Sequence, residues 1–469
     1  MQPSGDRPVV ISFRLQNIVG WAITALLCLV PLFIWIGIMP LSNRFSSVAM
    51  TLGSIGKITG FIGLVMYALN LVYATRLKFL ENWFGGLNRV YIAHHILGGL
   101  ALIFLVFHPL LLVSKIAFTS VREAALFFLP HGLTPVGAFF DANNDFHYEV
   151  LQQWAILFGS IALFGMVILL VLTFFVKLPY RLWLFTHKFL GLAFFFAGLH
   201  VIFISSDTSQ SPTLKWYLII MCAIGIIAFV YKTLLGRILI RKYQYYVDTV
   251  EVVGGSVTQL VMSPVKQRMM YKPGQFVFIR FLFSGVDDIT TEWHPFSVSS
   301  SPKDDFLRLS VKALGDYTGA LVNLKHGAIA EIEGAYGKFS YTNYSNYQQI
   351  WVAGGIGVTP FLSMARSLPT DNPYKIDLYY SVKTRSELID VDVLAEISQL
   401  QGDNFRIIPF VAVESGFITA DFVSKTSNGL KGKEIFICGP PGMMKAMRQQ
   451  MKVLGVSNAN IHSEEFSMS

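Results

Sequence analysis

Six apolar stretches, each about as long as a bilayer is thick, limit most strongly what this chain can fold into. They lie near residues 18–39, 56–75, 90–114, 152–176, 183–205 and 215–235. Because a helix needs roughly 20 apolar residues to cross the hydrocarbon core of a membrane, we predict a six-helix transmembrane domain in the first half. The first stretch is long and has no small-residue cleavage site, so we do not interpret it as a cleaved signal peptide.

Charged residues are sparse and unevenly placed along the chain. They make up 14% of the sequence, against roughly 25% in soluble proteins, and the mean hydropathy is +0.52. Residues 1–236 contain 14 Lys and Arg against 7 Asp and Glu, whereas residues 237–469 contain 23 against 22. The positive excess therefore lies among apolar segments and not on a basic face, so we expect no nucleic-acid partner. The three cysteines form no CxxC motif, which argues against a disulfide framework or a zinc site.

Basic residues between the stretches predict the orientation of the chain in the membrane. With the N-terminus inside, one side receives Arg7, Arg14, Arg76, Lys78, Arg89, Lys177, Arg181, Lys188, Arg237, Arg241 and Lys242. The other side receives fewer basic residues, which acidic residues partly offset. Since basic residues favour the cytoplasmic side, we expect both termini in the cytoplasm and the chain in the plasma (inner) membrane. The third and fifth stretches then run in the same direction.

Those two stretches contain five histidines, and ionisable residues inside a membrane are functional candidates by default. The third contains His94, His95 and His108, and the fifth contains His187 and His200. A separation of 14 residues places His94 and His108 on one helix face, about 21 Å apart along the axis. His187 and His200 are 13 residues apart, an angular offset near 140°, so they need either a local distortion, for instance near Gly191 or Gly198, or haems displaced sideways.

Because the two helices run in parallel, the histidines fall into two pairs at matching depths. His94 and His187 lie at the inner depth, and His108 and His200 at the outer depth. Imidazole nitrogen is an axial ligand of haem iron, so the pattern predicts two bis-histidine b-type haems stacked across the membrane. Polar packing or interfacial histidines are the alternative interpretation, and His95 could replace His94 as the ligand.

After residue 236 the pattern changes from long apolar stretches to short alternating runs. Residues 275–283 and 306–311 are typical of strands, with turns at 272–274 and 284–285. From about residue 349 the order strand, glycine turn, helix, strand indicates an α/β domain. We therefore expect three domains: residues 1–236 in the membrane, 237–345 as an antiparallel β-barrel, and 346–469 as an α/β nucleotide-binding domain.

Two short motifs in the barrel region are candidate FAD contacts. The first can place backbone amides and a hydroxyl along a flavin edge: His294, Pro295, Phe296 and Ser297. The second is a glycine turn that opens a helix, a common phosphate site; it contains Lys312, Gly315, Tyr317 and Thr318. Taken alone, each motif could equally be a structural turn.

The α/β region contains a stronger nucleotide signal. A strand, a glycine turn and a helix with proline in its first turn contain Gly354, Gly355, Gly357, Thr359 and Pro360. Glycines let the backbone approach a pyrophosphate, although the pattern is not GxGxxG. The next strand ends in Ser381, Lys383 and Arg385, which suit a 2′-phosphate and favour NADPH over NADH, unless they form a solvated basic turn. A later buried strand ends in Cys438, Gly439 and Pro440.

Over about residues 56–469, the chain resembles the NADPH oxidase/ferric reductase superfamily. The resemblance rests on the order of its features: the spans, the paired histidines, HPFS, GDYTG, GGIGVTPF and CGPPGMM. The resemblance implies a haem-bearing six-helix bundle joined to a ferredoxin-reductase-like module. It implies that His94, His108, His187 and His200 are the haem iron ligands, that Cys438 and Gly439 lie near the nicotinamide, and that Phe466 covers the flavin. The chain is most similar to the compact bacterial members, which implies no regulatory subunit. Leu112 stands where the animal oxidases have a further histidine.

The resemblance implies an oxidoreductase that moves electrons from cytoplasmic NADPH, through FAD and two haems, to an acceptor outside. We expect oxygen as the acceptor, giving superoxide. One alternative is a ferric reductase that reduces iron or its chelates, and another is a haem-bearing anchor that passes electrons to a partner protein. A metal-binding use of the loop at 115–150 would favour iron, through His131, Asp141, Asp145 and His147.

Overall fold

The computed structural model describes residues 13–128, 147–284, 286 and 288–464. The chain divides into two compact units, Met1–Gly85 with Arg89–Leu239 and Gly86–Asn88 with Ile240–Ser469. The predicted boundaries at 236/237 and 345/346 stay predictions at the level of single residues.

Six helices in the described part of the first unit are long and apolar enough to cross a membrane, as predicted. In chain order, they comprise Phe13–Ile36, Val48–Tyr73, Leu87–Ala117, His147–Phe175, the pair Tyr180–Lys188 and Leu190–Phe203, and Pro212–Phe229 with the π-helical turn Val230–Leu234. Short helices lie between or after them at Leu41–Arg44, Lys78–Phe84, Val121–Leu126, Asp207–Gln210 and Gly236–Leu239.

The fifth span is interrupted at Phe189, between its two histidines. The interruption is close to Gly191, one of the two places where a distortion is predicted to accommodate the unequal histidine spacing. The hydroxyl of Tyr67 in the second span donates to the carbonyl of Leu190 at 2.7 Å. A Cβ at Gly191 would lie 2.2 Å from the ring of Phe229, so the sixth span also passes close to the break.

The second unit begins with six antiparallel strands: β1 (Tyr243–Val253), β2 (Val257–Pro264), β3 (Phe276–Phe283), β4 (His294–Ser297), β5 (Leu307–Lys312) and β6 (Ile329–Tyr336). Their order in the sheet is β4-β3-β6-β1-β2-β5. An isolated bridge between Val298 and Leu309 joins the two edges, so the sheet closes into the predicted barrel. The short helix Asp316–Ala320 follows β5 directly.

Five parallel strands complete the unit: β7 (Gln348–Gly354), β8 (Lys375–Val382), β9 (Phe405–Val411), β10 (Glu434–Cys438) and β11 (Ile461–Glu464). Their order is β11-β10-β7-β8-β9. The main helices between them are Thr359–Ala365, Val391–Gln401, Ala420–Thr426 and Pro441–Val453. In such a sheet, ligands bind at the carboxyl ends of the strands, which is where the predicted nucleotide motifs lie.

A polar seam connects the barrel to the parallel sheet inside this unit. The Ser363 hydroxyl donates to the carbonyl of Ser300 at 2.6 Å. Arg366 donates to the carbonyl of Ser299 at 2.5 Å and to the carboxylate of Asp390 at 3.0 Å. Burial lowers the pKa of Arg366 although Asp390 opposes this effect. The seam fixes the flavin motifs of the barrel relative to the nucleotide loops of the sheet.

Candidate functional site

Four span histidines lie in two facing pairs. The ring centroids of His94 and His187 are 6.3 Å apart, and those of His108 and His200 are 6.4 Å apart. The rings within each pair are steeply inclined, by 60° and 74°. The structure therefore brings together the residues that the sequence pairs by depth.

Hydrogen bonds at Nδ1 orient each of the four rings. Three backbone carbonyls accept from them: Asn70 from His94 at 3.0 Å, Gly56 from His108 at 2.7 Å, and Ala155 from His200 at 2.7 Å. Because a carbonyl can only accept, Nδ1 carries the hydrogen in these three histidines, which leaves a lone pair on Nε2.

His187 differs from the other three because its Nδ1 partner is a hydroxyl. Thr173 Oγ1 lies 3.4 Å from Nδ1 and donates its own hydrogen to the carbonyl of Leu169 at 2.8 Å. The hydroxyl can therefore accept from His187, and the same tautomer results. The indole of Trp183 stacks on the His187 ring at 5.1 Å and 17°, which further fixes its orientation.

A cavity lies beside the outer pair. Its volume is about 240 Å³, and both His108 and His200 line it. Among the described residues that line it, Lys57 is the only charged one, and most of the others are apolar. Apolar walls beside two imidazoles are compatible with a flat apolar ring system that has a metal at its centre.

The other histidines of the membrane half are less informative. His95 is exposed and its ring lies 5.8 Å from that of His94, whereas His94 is the one that faces His187. His131, Asp141 and Asp145 lie outside the described residues, and His147 is described only as the first residue of a helix. Within the described part of the chain, no group of three or more His, Cys, Asp or Glu side chains could hold a metal ion.

In the barrel, the two predicted flavin motifs meet. Residues 294–297 form β4 itself, paired with β3. The imidazole of His294 stacks on the Tyr317 phenol at 3.6 Å and 20°. His294 Nε2 and the Tyr317 hydroxyl are buried, and neither has a hydrogen-bond partner among the described residues. Burial lowers the pKa of His294 and raises that of Tyr317, so both side chains are neutral and can each serve a polar ligand atom.

The turn before Tyr317 is shaped by Thr318. Its Oγ1 accepts from the backbone amides of Leu314 at 2.9 Å and Gly315 at 3.1 Å. The Thr318 hydroxyl, a predicted FAD contact, therefore already forms hydrogen bonds within its own loop. A Cβ at Gly315 would meet nothing within 4 Å, so the backbone of the turn is open to a ligand, and Lys312 lines a small cleft together with Gly355.

The nucleotide loop packs directly on the turn that contains Cys438. A Cβ at Gly357 would lie 2.4 Å from the carbonyl oxygen of Cys438, and one at Gly439 would lie 3.0 Å from Cα of Gly354. Gly355 has a φ of +53°. Thr359, whose hydroxyl donates to the carbonyl of Ile356 at 3.0 Å, and Pro360 begin the following helix. These predicted residues therefore share one edge of the sheet.

Cys438 is fully buried at the end of β10 and faces Glu464 on β11 in register. Burial raises the pKa of the Cys438 thiol, and the neighbouring Glu464 raises it further. The thiol is therefore protonated and not a nucleophile. Pro440 precedes the helix that begins at Pro441, and Phe466 lies outside the described residues.

The basic group after β8 is balanced by carboxylates. Ser381 pairs in register with Gly354, and Lys383 is exposed. Arg385 donates twice to Glu414, from Nε at 2.7 Å and from Nη2 at 2.9 Å. This bond raises the pKa of Arg385 and lowers that of Glu414, so the pair is ionised.

Several residues next to these sites gave little signal in the sequence. Glu464 and Glu414 reach their partners only through strand register, at separations of 26 and 29 residues. The carbonyls that orient the histidines depend on helix packing. Gly60 and Gly159 touch the outer histidines, and single glycines inside apolar spans were the available hint.

Three family models match this chain in sequence order. Residues 59–199 match the ferric reductase like transmembrane component. Residues 243–349 match an FAD-binding domain, and residues 351–449 match an oxidoreductase NAD-binding domain.

Curated relatives are similar to this chain over about half of its length. The 3-ketosteroid-9-alpha-monooxygenase ferredoxin reductase component of Rhodococcus rhodochrous is 24% identical over 45% of this chain and 60% of its own length. The propane 2-monooxygenase reductase component of Mycolicibacterium goodii is 28% identical over 51% and 70%. Flavohemoprotein A of Dictyostelium discoideum is 30% identical over 42% and 52%. The chain thus spans between about half and 70% of the length of these three relatives.

Among solved structures, the flavohemoglobin of Malassezia yamatoensis covers 76% of this chain and 97% of its own at 16% identity and a TM-score of 0.43. A ferredoxin NADP+ reductase from Neisseria gonorrhoeae covers 48% and 98% at 20% identity and a TM-score of 0.40. In one chain, a ferric reductase-like transmembrane component is followed by FAD-binding and NAD-binding domains. This protein is therefore a membrane-embedded oxidoreductase with the architecture of the NADPH oxidase/ferric reductase superfamily.

Proposed function

We propose that this protein transfers electrons from cytoplasmic NADPH or NADH, by way of FAD and two bis-histidine b-type haems, to oxygen beyond the membrane, producing superoxide. When bound, FAD would accept a hydride and release single electrons, and the haem irons would relay them. The protein's own residues supply binding, spacing and orientation.

The separation of the histidine rings is the observation that carries this proposal. Two imidazoles that held one metal ion between them would have ring centroids roughly 6 Å apart, given metal–nitrogen bonds of about 2.0–2.1 Å and the distance from Nε2 to the ring centre. The two pairs have centroids at 6.3 and 6.4 Å. The same separation recurs at both depths on the same two spans, as two stacked bis-histidine sites would require.

The hydrogen bonds at Nδ1 support the same assignment. They hold Nδ1 protonated and leave Nε2 as the free donor atom, which is the usual arrangement behind a metal-bound histidine. The residues that would hold the haems are therefore His94 with His187 at the inner depth and His108 with His200 at the outer depth.

The second unit supports the binding of FAD and a nicotinamide nucleotide. His294 Nε2 and the Tyr317 hydroxyl, which have no hydrogen-bond partner in the described part of the chain, are suited to polar atoms of a flavin. The close contact between Gly357 and the carbonyl of Cys438 forms a tight cradle in which backbone, and not side chains, would face a nucleotide. We assign Ser381, Lys383 and Arg385 to its ribose end and the buried Cys438 to its nicotinamide end.

The outer cavity supports a small acceptor. Its walls are mostly apolar, with His108, His200 and Lys57 among the exceptions, and a small neutral molecule such as oxygen is compatible with them. The distribution of basic residues supports cytoplasmic termini and insertion in the plasma membrane, with both reductase domains on the cytoplasmic side.

The test is aerobic reduction of cytochrome c by the purified protein loaded with haem and FAD, with NADPH, with and without superoxide dismutase. Strong inhibition by the dismutase is expected, because superoxide would be the carrier. Rapid reduction that ignores the dismutase would identify direct donation to a metal centre and replace the oxidase with a ferric reductase.

A second arm tests the serial path through the haems. A folded His200→Ala variant should lose transmembrane transfer and retain NADPH–ferricyanide activity at the flavin. Loss of both activities in the folded variant would contradict a serial path. Wild-type protein that reduces neither oxygen nor cytochrome c, while it passes electrons to an added partner protein, would support the haem-bearing anchor instead.

A further inference from the structure

Two loops meet at the edge of the parallel sheet where the basic group lies. β8 and β9 are adjacent and parallel, with Val382 opposite Val411. Arg385 follows β8, and Glu414 follows β9 in the short helix Ala412–Ser415. The amide of Val413 donates to the carbonyl of Lys383 at 3.2 Å, so the two loops are held against each other.

Arg385 and Glu414 form a two-point ion pair at this edge. The bonds run from Nε at 2.7 Å and from Nη2 at 2.9 Å, which occupies one whole side of the guanidinium fork. A second carboxylate lies nearby, since Glu387 Oε2 accepts from the amide of Lys383 at 3.4 Å. The two cations, Lys383 and Arg385, and the two carboxylates therefore sum to no net formal charge.

This balance bears on which coenzyme the site prefers. A phosphoryl group adds a charge of about −1.5 to −2 at neutral pH, whereas the 2′-hydroxyl of NADH adds none. An arginine free of partners would favour the phosphate strongly. Here the 2′-phosphate must displace Glu414 or share Arg385 with it. The pair is exposed, with 75% of the Arg385 side chain accessible, so displacement is feasible and the penalty is moderate.

We propose that Glu414 sets the coenzyme preference of this protein by competing with the 2′-phosphate of NADPH for Arg385, so that NADPH and NADH are used with similar efficiency. The inference rests on the proposed function, because it takes the edge after β8 as the ribose end of a nicotinamide nucleotide site. It adds a specificity-determining residue that the sequence motifs do not contain.

The test compares kcat/KM for NADPH and NADH in full-length, FAD-loaded protein, with ferricyanide as acceptor. Glu414→Gln should raise the NADPH/NADH ratio about fivefold, and Arg385→Gln should lower it. In the Arg385→Gln background, Glu414→Gln should have little further effect. Asp305→Asn is the matched control, because it removes the carboxylate of an exposed ion pair with Arg268 in the barrel; its ratio should equal that of the wild type.

A binding measurement separates the adenosine end from electron transfer. The inhibition constant of 2′,5′-ADP should fall about fivefold in Glu414→Gln, whereas that of ADP should stay within twofold. An unchanged or lower NADPH/NADH ratio in Glu414→Gln would overturn the role of Glu414. So would a rise in this ratio that is equally large when Glu414→Gln is made in the Arg385→Gln background. Wild-type protein that oxidises neither coenzyme and binds neither inhibitor would instead overturn the proposed function, and this inference with it.

Discussion

Gly60 lies so close to the imidazole of His108 that a Cβ at residue 60 would be 2.5 Å from Nδ1. The other histidine of the outer pair has the same arrangement, because a Cβ at Gly159 would lie 2.8 Å from Nδ1 of His200. In each case the ring packs on a glycine and donates to the carbonyl four residues earlier in the same helix, Gly56 or Ala155. Two different helices thus use the same device to orient the two outer histidines.

Gly60→Ala and Gly159→Ala should each dislodge an outer histidine. An added methyl forces the ring away from its carbonyl, so we expect the haem-to-protein ratio to fall towards half of the wild-type value while NADPH–ferricyanide activity is retained. The ratio can be measured by the pyridine haemochrome assay. Gly165→Ala is the control, since its Cβ would make an ordinary contact at 3.7 Å with Ala193. Full haem loading in both Gly60→Ala and Gly159→Ala would contradict the assignment of His108 and His200 as ligands.

Much of the fold follows from sequence patterns, because the relevant forces act over short distances along the chain. The length of the apolar stretches predicts the six spans, and period-two alternation predicts barrel strands such as β3. The start of the second span was missed by eight residues, at Val48, where Ser47 accepts a hydrogen bond from Met50 and caps the helix. Polar residues near the helix start lowered the apolar signal there.

Less of the candidate site could be predicted, because its details depend on how distant elements pack. The spacing of the histidines predicted two pairs and a distortion, and the structure has the interruption at Phe189. Nothing local to His187 indicates that Thr173 supplies its hydrogen-bond acceptor. Likewise, the segment after β8 alone predicts Arg385 as a phosphate ligand, whereas its partner Glu414 is brought in by the pairing of β8 with β9.

Asp207 organises a buried ionic cluster between the spans. Its carboxylate accepts from Trp35 Nε1 at 2.6 Å, from Arg44 Nη1 at 2.8 Å and from Lys57. Asp207→Asn would leave two cations without a counter-charge, and breaking a buried pair in this way costs on the order of 3–5 kcal/mol. We expect a clear drop in Tm of the detergent-purified protein. Glu123→Gln, at an exposed position, is the control, and an equal Tm shift in both variants would argue against the cluster.

The same cluster predicts a pH dependence. Burial raises the pKa of Asp207, but the hydrogen bonds from Lys57, Arg44 and Trp35 outweigh it and hold the pKa below the ordinary value of 3.8. A depressed pKa contributes stability that is complete above 3.8 and is lost as the pH falls through the folded-state value. The difference in Tm between wild type and Asp207→Asn should therefore narrow below about pH 4. A difference that stays constant on acidification would refute this.

Gly357→Ala tests the contact between the nucleotide loop and the Cys438 turn. A methyl at residue 357 would lie 2.4 Å from a backbone carbonyl, so the loop must shift away from the nicotinamide end of the site. We expect kcat/KM for NADPH–ferricyanide reduction to fall at least tenfold, since misplacement of about 1 Å can cost 10²-fold, with FAD and haem contents unchanged. Gly442→Ala, whose Cβ would meet nothing within 4 Å, should keep wild-type kinetics.

Tyr317→Phe distinguishes a flavin contact from a buried hydroxyl with no role. The substitution keeps the ring that stacks on His294 at 3.6 Å and removes an oxygen that has no partner among the described residues. If the hydroxyl bonds to FAD, the dissociation constant of FAD should rise about tenfold, the worth of one hydrogen bond. If it has no partner even with FAD bound, its removal should leave FAD affinity unchanged. Fluorescence titration of FAD into the FAD-free protein measures this affinity, with Tyr246→Phe on β1 as the control.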